Sequence, residues 1–261
     1  MRKKTYLLAM LGATTLMMSQ PAFANTFVNG GFEDGNLNNW NQGGGSWGGY
    51  GLPLNPANYN GGTPNNTIVT PGDDPIVGSA LNQVYNGGYA VRVNDWVNNW
   101  SVSTITQTVN NYTDSHIFFE WAAVLEGSHG AQDSDNFTLK LTDDTTGETL
   151  YNTAFSSATA AGDGLFTKGP GNGWGNYWYY TSWQVQDLDV STRSGHDFTL
   201  ALLGADCPYG GHAGYVYLDG FGSTVIPQDP GGDPVPEPAT MLLMSTGLAS
   251  LAGLRRKKKA V

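Results

Sequence analysis

The chain has 261 residues and a formal net charge of −10, but this charge is unevenly distributed. Eight of the twelve basic residues lie in the two ends, so the segment between them carries four basic and 21 acidic residues, a formal net charge of −17. Such a field repels nucleic acid and anionic lipid and attracts cations, so the composition excludes nucleic-acid binding through basic patches and favours divalent ions as ligands.

Residues 1–24 have the layout of a secretory signal peptide. A basic start at Arg2, Lys3 and Lys4 precedes the apolar run 6–18 and the small-residue site Ala22-Phe23-Ala24. We therefore expect signal peptidase to cleave between Ala24 and Asn25. The alternative, a buried N-terminal helix, would need polar residues at helical spacing, and the apolar run contains only two threonines.

Residues 25–224 have the pattern of a single all-β domain. The chain contains 36 glycines, and this segment shows no sustained helical period of apolar residues. Apolar and polar residues alternate in several stretches, which predicts strands. These stretches are 89–93, 117–125, 137–141, 198–202 and 215–218. Because nothing repeats at a fixed period, a propeller or solenoid is disfavoured, and the predicted fold is a jelly-roll β-sandwich.

Two segments that bracket this domain resemble a known family. The first is Phe27-Val28-Asn29-Gly30-Gly31-Phe32-Glu33, and the second is the aromatic-rich run 211–221, which contains Asp219. They are similar to the opening and closing strands of jelly-roll carbohydrate-binding modules. The resemblance implies that the first and last strands lie side by side and that a structural Ca²⁺ binds where they meet.

The resemblance makes Glu33 and Asp219, together with Asn29, candidate calcium ligands. Calcium takes six to eight oxygen ligands, and carboxylates from adjacent strands would supply the charged part of the shell. The alternative is that these side chains bond to loop backbone or to solvent. An EF-hand loop beginning at Asp34 is excluded, because Asn39 occupies its glycine position and Gly45 the position of its final glutamate.

Aromatic residues cluster in a second run, 174–183, which begins among Gly and Asn residues. Rings stack on the apolar faces of sugars while amide and hydroxyl groups bond to sugar hydroxyls, so we expect Trp174, Tyr177 and Trp178 to bind glycan. The alternative is that alternate aromatics of a strand pack in the core, as we expect for Trp183. The long segment 34–88, rich in Asn, Gly, Trp and Tyr, is predicted to be either a binding surface or disordered.

Signals for catalysis are weak. Cys207 is the single cysteine of the chain and is expected to be a small buried hydrophobe rather than a reactive thiol or an intermolecular bridge. His212 is expected to be structural. The acid pairs Asp133/Asp135 and Asp187/Asp189 would indicate glycosidase chemistry only if two carboxyls faced each other, and solvated loop acids are the favoured interpretation.

The last segment carries a sorting motif. Pro236-Glu237-Pro238 precedes sixteen uncharged residues, 239–254, and the basic cluster 255–259. A helix of this length spans about 24 Å, short of the roughly 30 Å hydrocarbon core, and the positive-inside rule keeps the basic cluster in the cytoplasm. The three features resemble a PEP-CTERM sorting signal, which implies processing by exosortase, a membrane enzyme of Gram-negative bacteria. A plain single-span anchor is the alternative.

The predicted organisation has four parts: a signal peptide (1–24), an ectodomain (25–224), a linker rich in Pro, Gly and Asp (225–235), and a sorting signal (236–261) with transmembrane helix 239–254. The predicted protein is exported, held transiently in the inner membrane and then released to the cell surface or medium. We predict a non-catalytic protein that binds extracellular polysaccharide. A structural or adhesion protein without a glycan site is the alternative, and a glycoside-active enzyme is the less favoured third.

Overall fold

The computed structural model describes residues 26–173, 175–225 and 227–228, which form an antiparallel β-sandwich. In chain order the strands are β1 (Asn41–Gly45), β2 (Thr67–Val69), β3 (Asp73–Asp74), β4 (Gly78–Asn82), β5 (Ala90–Val93), β6 (Val102–Tyr112), β7 (His116–Glu126), β8 (Asn136–Asp143), β9 (Glu148–Ser156), β10 (Thr167–Gly171), β11 (Tyr177–Tyr180), β12 (Gln184–Asp189), β13 (His196–Ala205) and β14 (Gly214–Gly222). One short helix, α1 (Ser157–Ala160), follows β9, and 3-10 turns occupy Pro56–Tyr59 and Ser191–Arg193.

The strands form two main sheets. The five-stranded sheet has the order β1-β6-β13-β8-β9. The seven-stranded sheet has the order β10-β11-β7-β14-β5-β2, and β12 also pairs with β7. From β5 to β8 the chain changes sheet at every strand, and it changes again between β12, β13 and β14. This alternation confirms the predicted jelly roll.

The main core lies between the sheets and follows the predicted alternation. Phe119, Trp121 and Ala123 of β7 face Leu139 of β8 and Leu200 of β13 in one buried cluster. Side chains of period two on facing sheets interdigitate in this way whenever both inner faces are apolar. The predicted strands β5, β7, β8, β13 and β14 are therefore confirmed.

A second buried cluster covers the outer face of the seven-stranded sheet. Tyr215 and Tyr217 of β14 pack there with Ala122 and Val124 of β7, beneath the segment that carries β3 and β4. Asp74 of β3 accepts hydrogen bonds from both tyrosine hydroxyls, at 3.0 Å from Tyr215 and 2.8 Å from Tyr217. This sheet is thus buried on both faces, and its outer face offers no open platform in this region.

The N-terminal segment lies beside β14 but is not a strand. Residues 28–31 form turns, and the first strand begins at Asn41, so the predicted opening strand at 27–33 is wrong. Adjacency to the last strand is nevertheless observed, because the Phe221 N–H donates to the Gly30 carbonyl at 3.2 Å and the rings of Phe27 and Phe221 have centroids 3.7 Å apart. A Cβ on Gly30 would lie 1.6 Å from the Phe221 oxygen, so only glycine fits this contact.

The long segment 34–88 is neither a plain loop nor a single surface. It contains β1 to β4 and a 3-10 turn. Its last part supplies Leu81 and Val84 to the cluster on the outer face. This part of the segment is therefore ordered by packing of its apolar side chains against the sheet.

Candidate functional site

Four loops meet at one end of the sandwich, which we call the loop end. They are the segments 46–52, 94–101, 127–135 and 206–213, which flank β1, β5, β6, β7, β8, β13 and β14. Asp206 lies at their centre and is buried. Its Oδ2 accepts the N–H groups of Asn99 and Ser101, both at 3.1 Å, and its Oδ1 accepts Asn94 Nδ2 at 2.8 Å. One carboxyl therefore fixes the 94–101 loop against the 206–213 loop.

The ionisation of Asp206 reflects two opposing effects. Burial raises the pKa of this carboxyl to about 7, although the N–H donors of Asn99, Ser101 and Asn94 favour the charged form. The indole N–H of Trp47 donates to the Asp206 carbonyl at 2.7 Å, which joins the 46–52 loop to the same centre. The loop end is consequently held by hydrogen bonds that are buried or partly buried.

Exposed aromatic rings project from the loop end. Tyr50 is 74% exposed, Tyr209 is 54% exposed and Trp100 is 51% exposed. Tyr209 lies against Gly49, next to Tyr50, and its ring makes an edge contact with His129 at 6.0 Å between centroids. Trp96 is more covered, because it stacks on the Arg92 guanidinium at 4.1 Å. Exposed rings close to polar loop groups are the arrangement that suits a sugar ring.

None of these rings is among the glycan-binding residues predicted from the sequence. The two tryptophans of the segment 94–101 stand among three asparagines and an aspartate, which is a loop composition that cannot pack both rings in a core. That composition is the signal that could have identified them. The convergence of this segment with Tyr50 and Tyr209 is a long-range contact that no local pattern contains.

The predicted glycan residues are placed differently from one another. Trp178 is only 7% exposed and packs against Tyr215 in the outer-face cluster, so the expectation of an exposed ring is wrong for this residue. Tyr177 is 40% exposed, but the Lys168 ammonium lies 3.3 Å from its ring centroid. Trp174 lies outside the described residues. Trp183 is half-buried, packs against the same cluster and donates from its indole N–H to the Asn82 carbonyl at 2.9 Å.

The outer face of the five-stranded sheet carries a separate groove. Its cavity volume is about 300 Å³, and hydroxyl groups from neighbouring strands line it, among them Thr104, Thr106, Thr142 and Thr199. Lys140 and Asp144 add one charge of each sign. None of its lining residues is aromatic. A sugar would find hydrogen bonds here but no ring to stack on, so the loop end is the better candidate for glycan binding.

The candidate calcium residues are only partly brought together. Glu33 and Asp219 both lie near Gly31, where a Cβ would be 3.9 Å from Glu33 Cγ and 3.8 Å from Asp219 Oδ1. Glu33 Oε1 accepts the N–H groups of Gly88 and Tyr89, both at 3.2 Å. Asn29 is not part of this pair, because it bonds to the backbone of Asp34 and Asn36.

Asp219 is also bonded to backbone. Its Oδ2 accepts the N–H groups of Tyr85 at 3.0 Å and Asn86 at 3.1 Å, and its Oδ1 accepts the Gly220 N–H at 2.7 Å. Burial raises the pKa of Asp219 well above its usual value, and the negative charge of Glu120 adds to the increase. The structure thus shows the backbone-bonding role that was the alternative to calcium for Glu33 and Asp219.

Glu120 is an additional acid next to Asp219 that the sequence analysis missed. The two residues are opposite one another in the pairing of β7 with β14. Glu120 is fully buried, and neither of its carboxyl oxygens has a hydrogen-bond partner. Burial raises its pKa to about 8. A buried carboxyl without a donor requires either a proton or a cation, so this orphaned group fits a Ca²⁺ ligand set together with Asp219.

The acid pairs considered for glycosidase chemistry each have separate local partners. Asp133 accepts the Gly130 N–H at 2.7 Å, whereas Asp135 is buried and accepts the Ser157 hydroxyl at 2.6 Å. Asp187 lies 2.6 Å from His116 Nδ1, and Asp189 accepts the Ser191 N–H at 2.9 Å. Asp133, Asp187 and Asp189 thus have the contacts of loop and surface acids, whereas the expectation of a solvated loop acid is wrong for Asp135, which is buried against Ser157.

The sorting motif is confirmed by comparison with a protein family. Residues 234–257 match the family described as the PEP-CTERM protein-sorting motif. Pro236, Glu237, Pro238 and the predicted helix 239–254 lie outside the described residues, as do Ala24 and Asn25 of the predicted cleavage site. Within the part of the chain that the structure describes, no helix is both long enough and apolar enough to cross a membrane. No curated protein sequence matches this chain.

Several solved structures are similar in outline. TmCBM61, solved in complex with beta-1,4-galactotriose, has 14% identity and a TM-score of 0.39, with 76% of this chain and 97% of that chain covered. The non-crystalline cellulose specific module CBM28 has 13% identity and a TM-score of 0.35, with 74% and 91% covered. The enzymatically active domain of bacteriophage CBA120 tailspike protein 4 has 9% identity and a TM-score of 0.36, with 77% and 22% covered.

At these identities the likeness concerns the fold alone. The functional evidence in the chain itself consists of the sorting motif and the exposed rings of the loop end. The chain is thus a jelly-roll β-sandwich followed by a PEP-CTERM protein-sorting motif.

Proposed function

We propose that this is an exported, non-catalytic surface protein that binds polysaccharide through the loop end. The observation that carries the proposal is the exposure of Tyr50, Trp100 and Tyr209 on loops that Asp206 holds together. Loops carry binding residues in many proteins because a rigid scaffold positions them. The sorting motif supports a location where extracellular polysaccharide is present.

The acidity of the domain limits the choice of polysaccharide. Only Arg92, Lys140, Lys168 and Arg193 are basic between the two ends, and Arg92 is buried. A strongly anionic polymer would be repelled unless divalent cations bridged the charges, so neutral chains are the favoured ligands. A wet site of two or three rings yields an affinity of micromolar to millimolar Kd, or about −4 to −8 kcal/mol.

Replacement of Trp100 tests the glycan site. Trp100→Ala is expected to abolish retention of the protein in affinity electrophoresis through neutral polysaccharide gels, while its melting temperature stays near that of the wild type because the ring is half exposed. Tyr209→Ala is expected to weaken retention in the same way. Trp178→Ala should instead lower the unfolding free energy by about 3–5 kcal/mol, because it removes a buried ring.

Tyr177→Ala is the matched control, because Tyr177 is one of the residues of the aromatic run 174–183 that the sequence predicts to bind glycan. Retention that persists in Trp100→Ala and is lost in Tyr177→Ala would place the glycan site at 174–180 and contradict the loop end. An absence of retention for the wild-type protein on a broad neutral panel would replace this proposal with that of a structural or adhesion protein.

We further propose that the protein binds a structural Ca²⁺ through three ligands, Asp219, Glu120 and Glu33. The orphaned oxygens of Glu120 support this assignment, since they need a positive partner when the carboxyl is ionised. The ion would tie the outer face of β7 and β14 to the N-terminal segment through Glu33. Such an ion stabilises the folded state only, so its effect is measured as a gain in stability.

The route to the surface is proposed from the sorting motif. Signal peptidase removes residues 1–24, and exosortase processes the chain near Pro236-Glu237-Pro238, after transient residence in the inner membrane. In the native host, mass spectra of the surface form are expected to show an N-terminus at Asn25 and to lack peptides from 255–259. In a host without exosortase the basic tail is expected to remain, with the chain in the membrane fraction. A native surface form that keeps the tail would contradict this route.

A further inference from the structure

Three metal-ligating side chains meet at the loop end. His129, Cys207 and His212 each offer one ligand atom, and these atoms all lie within 4.8 Å of one another, the single such group found among the described residues. Cys207 Sγ lies 3.1 Å from His212 Nδ1. The rings of His129 and His212 meet edge to face, with centroids 5.2 Å apart. The cluster therefore joins the 127–135 and 206–213 loops.

The loop between β13 and β14 is built to hold Cys207 and His212 together. The Cys207 N–H donates to the His212 carbonyl at 2.8 Å, and the Gly211 N–H donates to the Cys207 carbonyl at 3.2 Å. A Cβ on Gly210 would lie 2.6 Å from His212 Cε1, and Gly211 has a φ of +67°. A side chain at 210 would push the imidazole aside and the backbone at 211 favours glycine, so together the two glycines allow the imidazole to reach the sulfur.

Backbone donors are aimed at the sulfur. The N–H groups of Gly210 and His212 lie 3.2 Å and 3.3 Å from Cys207 Sγ. Hydrogen bonds of this kind stabilise a thiolate, which is the form of cysteine that binds metals. Cys207 is buried, as the sequence analysis expected, but its sulfur has polar partners, so it is not simply a small buried hydrophobe.

Cysteine and histidine supply the donor atoms that zinc prefers. Zinc binds the thiolate of cysteine and a neutral imidazole nitrogen. Cys207 Sγ and His212 Nδ1 already face each other at 3.1 Å, so an ion bound at this position would contact both.

We propose that His129, Cys207 and His212 bind one zinc ion. One thiolate and two imidazoles suit Zn²⁺ and not Ca²⁺ or Mg²⁺, which take oxygen ligands. On binding, the Cys207 S–H bond breaks, the S–Zn bond forms and one proton passes to solvent. The sulfur and nitrogen ligands of a tetrahedral zinc ion lie about 3.6 Å apart, so Cys207 and His212 need to separate by only a few tenths of an ångström.

The fourth coordination position faces solvent. His129, a member of the cluster, and Tyr209, which borders it, are both exposed, so water or an external ligand completes the shell. Glu126 Oε2 accepts the N–H of Ala213, the residue after His212, at 3.0 Å, so this carboxyl lies beside the cluster and its negative charge would favour a cation there. Zinc would fix the loop that carries Tyr209 and thus the exposed rings, independently of whether these rings bind glycan.

The test is zinc binding by the full-length chain in a chelator competition. Wild-type protein is expected to bind one Zn²⁺ with micromolar or tighter affinity, and Co²⁺ in its place should give a thiolate-to-cobalt charge-transfer band and the intense visible bands of a tetrahedral ion. Cys207→Ser should remove the charge-transfer band. His129→Ala, at an exposed position that leaves folding intact, should weaken zinc binding by more than about 100-fold, since even residues outside the ligand shell cost about 10–100-fold.

The matched control is His116→Asn, which removes a partly exposed imidazole that is paired with Asp187 on another part of the surface. Its zinc affinity should equal that of the wild type. Ca²⁺ and Mg²⁺ in excess should not displace the zinc, which separates this site from the one at Asp219. Equal zinc affinities in wild type, Cys207→Ser and His129→Ala, or no binding by the wild type, would overturn the proposal.

Discussion

Asp74→Ala is expected to lower the unfolding free energy by about 4 kcal/mol or more. The Asp74 carboxyl is buried and accepts the hydroxyls of Tyr215 and Tyr217 as well as the N–H groups of Ile76 and Val77, the last two at 2.8 Å. Its removal leaves the buried Tyr215 hydroxyl and two backbone donors without a partner, and leaves the Tyr217 hydroxyl only the longer contact of 3.4 Å to Gln83 Oε1. Urea unfolding at neutral pH measures the loss.

Asp73 provides the matched control for this prediction. It is the neighbouring residue in the same short strand and is exposed. Asp73→Ala should change stability by less than about 0.5 kcal/mol, because a surface substitution breaks no buried contact. Equal effects of the two substitutions would show that the hydrogen bonds of Asp74 do not hold the segment 70–84 on the sheet.

Glu120→Gln is expected to be more stable than the wild type at alkaline pH when calcium is chelated. The folded-state pKa of Glu120 is about 8, against about 4.3 in the unfolded chain. Between these two pKa values the folded state keeps a proton on Glu120 that the unfolded state has lost. The contribution of this proton to wild-type stability is therefore full below the unfolded pKa and is lost as the pH rises through about 8. At about 1.4 kcal/mol per pKa unit, the loss is roughly 4–5 kcal/mol.

Urea unfolding of both proteins at about pH 5 and about pH 9 isolates the Glu120 contribution, since glutamine does not titrate. Added Ca²⁺ should restore stability to the wild type at the higher pH and give a much smaller gain in Glu120→Gln. Glu148→Gln makes the same chemical change at an exposed ion pair and should shift stability by less than about 1 kcal/mol. A difference between wild type and Glu120→Gln that does not change with pH would contradict the buried-acid assignment.

The local sequence pattern was sufficient to predict the features that depend on neighbouring residues in the chain. The alternation in β7, β8, β13 and β14 predicted these strands, because side chains of period two must separate onto two faces of a sheet. The PEP-CTERM motif was equally readable, since its three parts are contiguous in sequence. These features depend on neighbours in the chain and therefore need no knowledge of the fold.

The exposure of aromatic residues could not be predicted in this way. Trp178 has the composition of a glycan residue, yet it is covered by packing against Tyr215 on the outer face of a sheet. That face is buried because β3 and β4 fold over it. The contact between Asp74 and Tyr215, for example, joins residues that are 141 positions apart in the chain. Trp100 stays exposed for the converse reason, since its loop is held by Asp206 through backbone groups and not through its ring.

The sequence by itself determined the β class, the positions of the strands β5, β7, β8, β13 and β14, the acidic charge and the sorting motif, all of which follow from local composition and period. Only the tertiary structure decided which acids and ligands meet. Glu120 reaches Asp219 through the pairing of β7 with β14, and His129 reaches Cys207 and His212 because two loops end at the same side of the sandwich. Strand pairing brings together residues that are far apart in the chain. Buried carboxyls and clustered metal ligands form only through such long-range contacts.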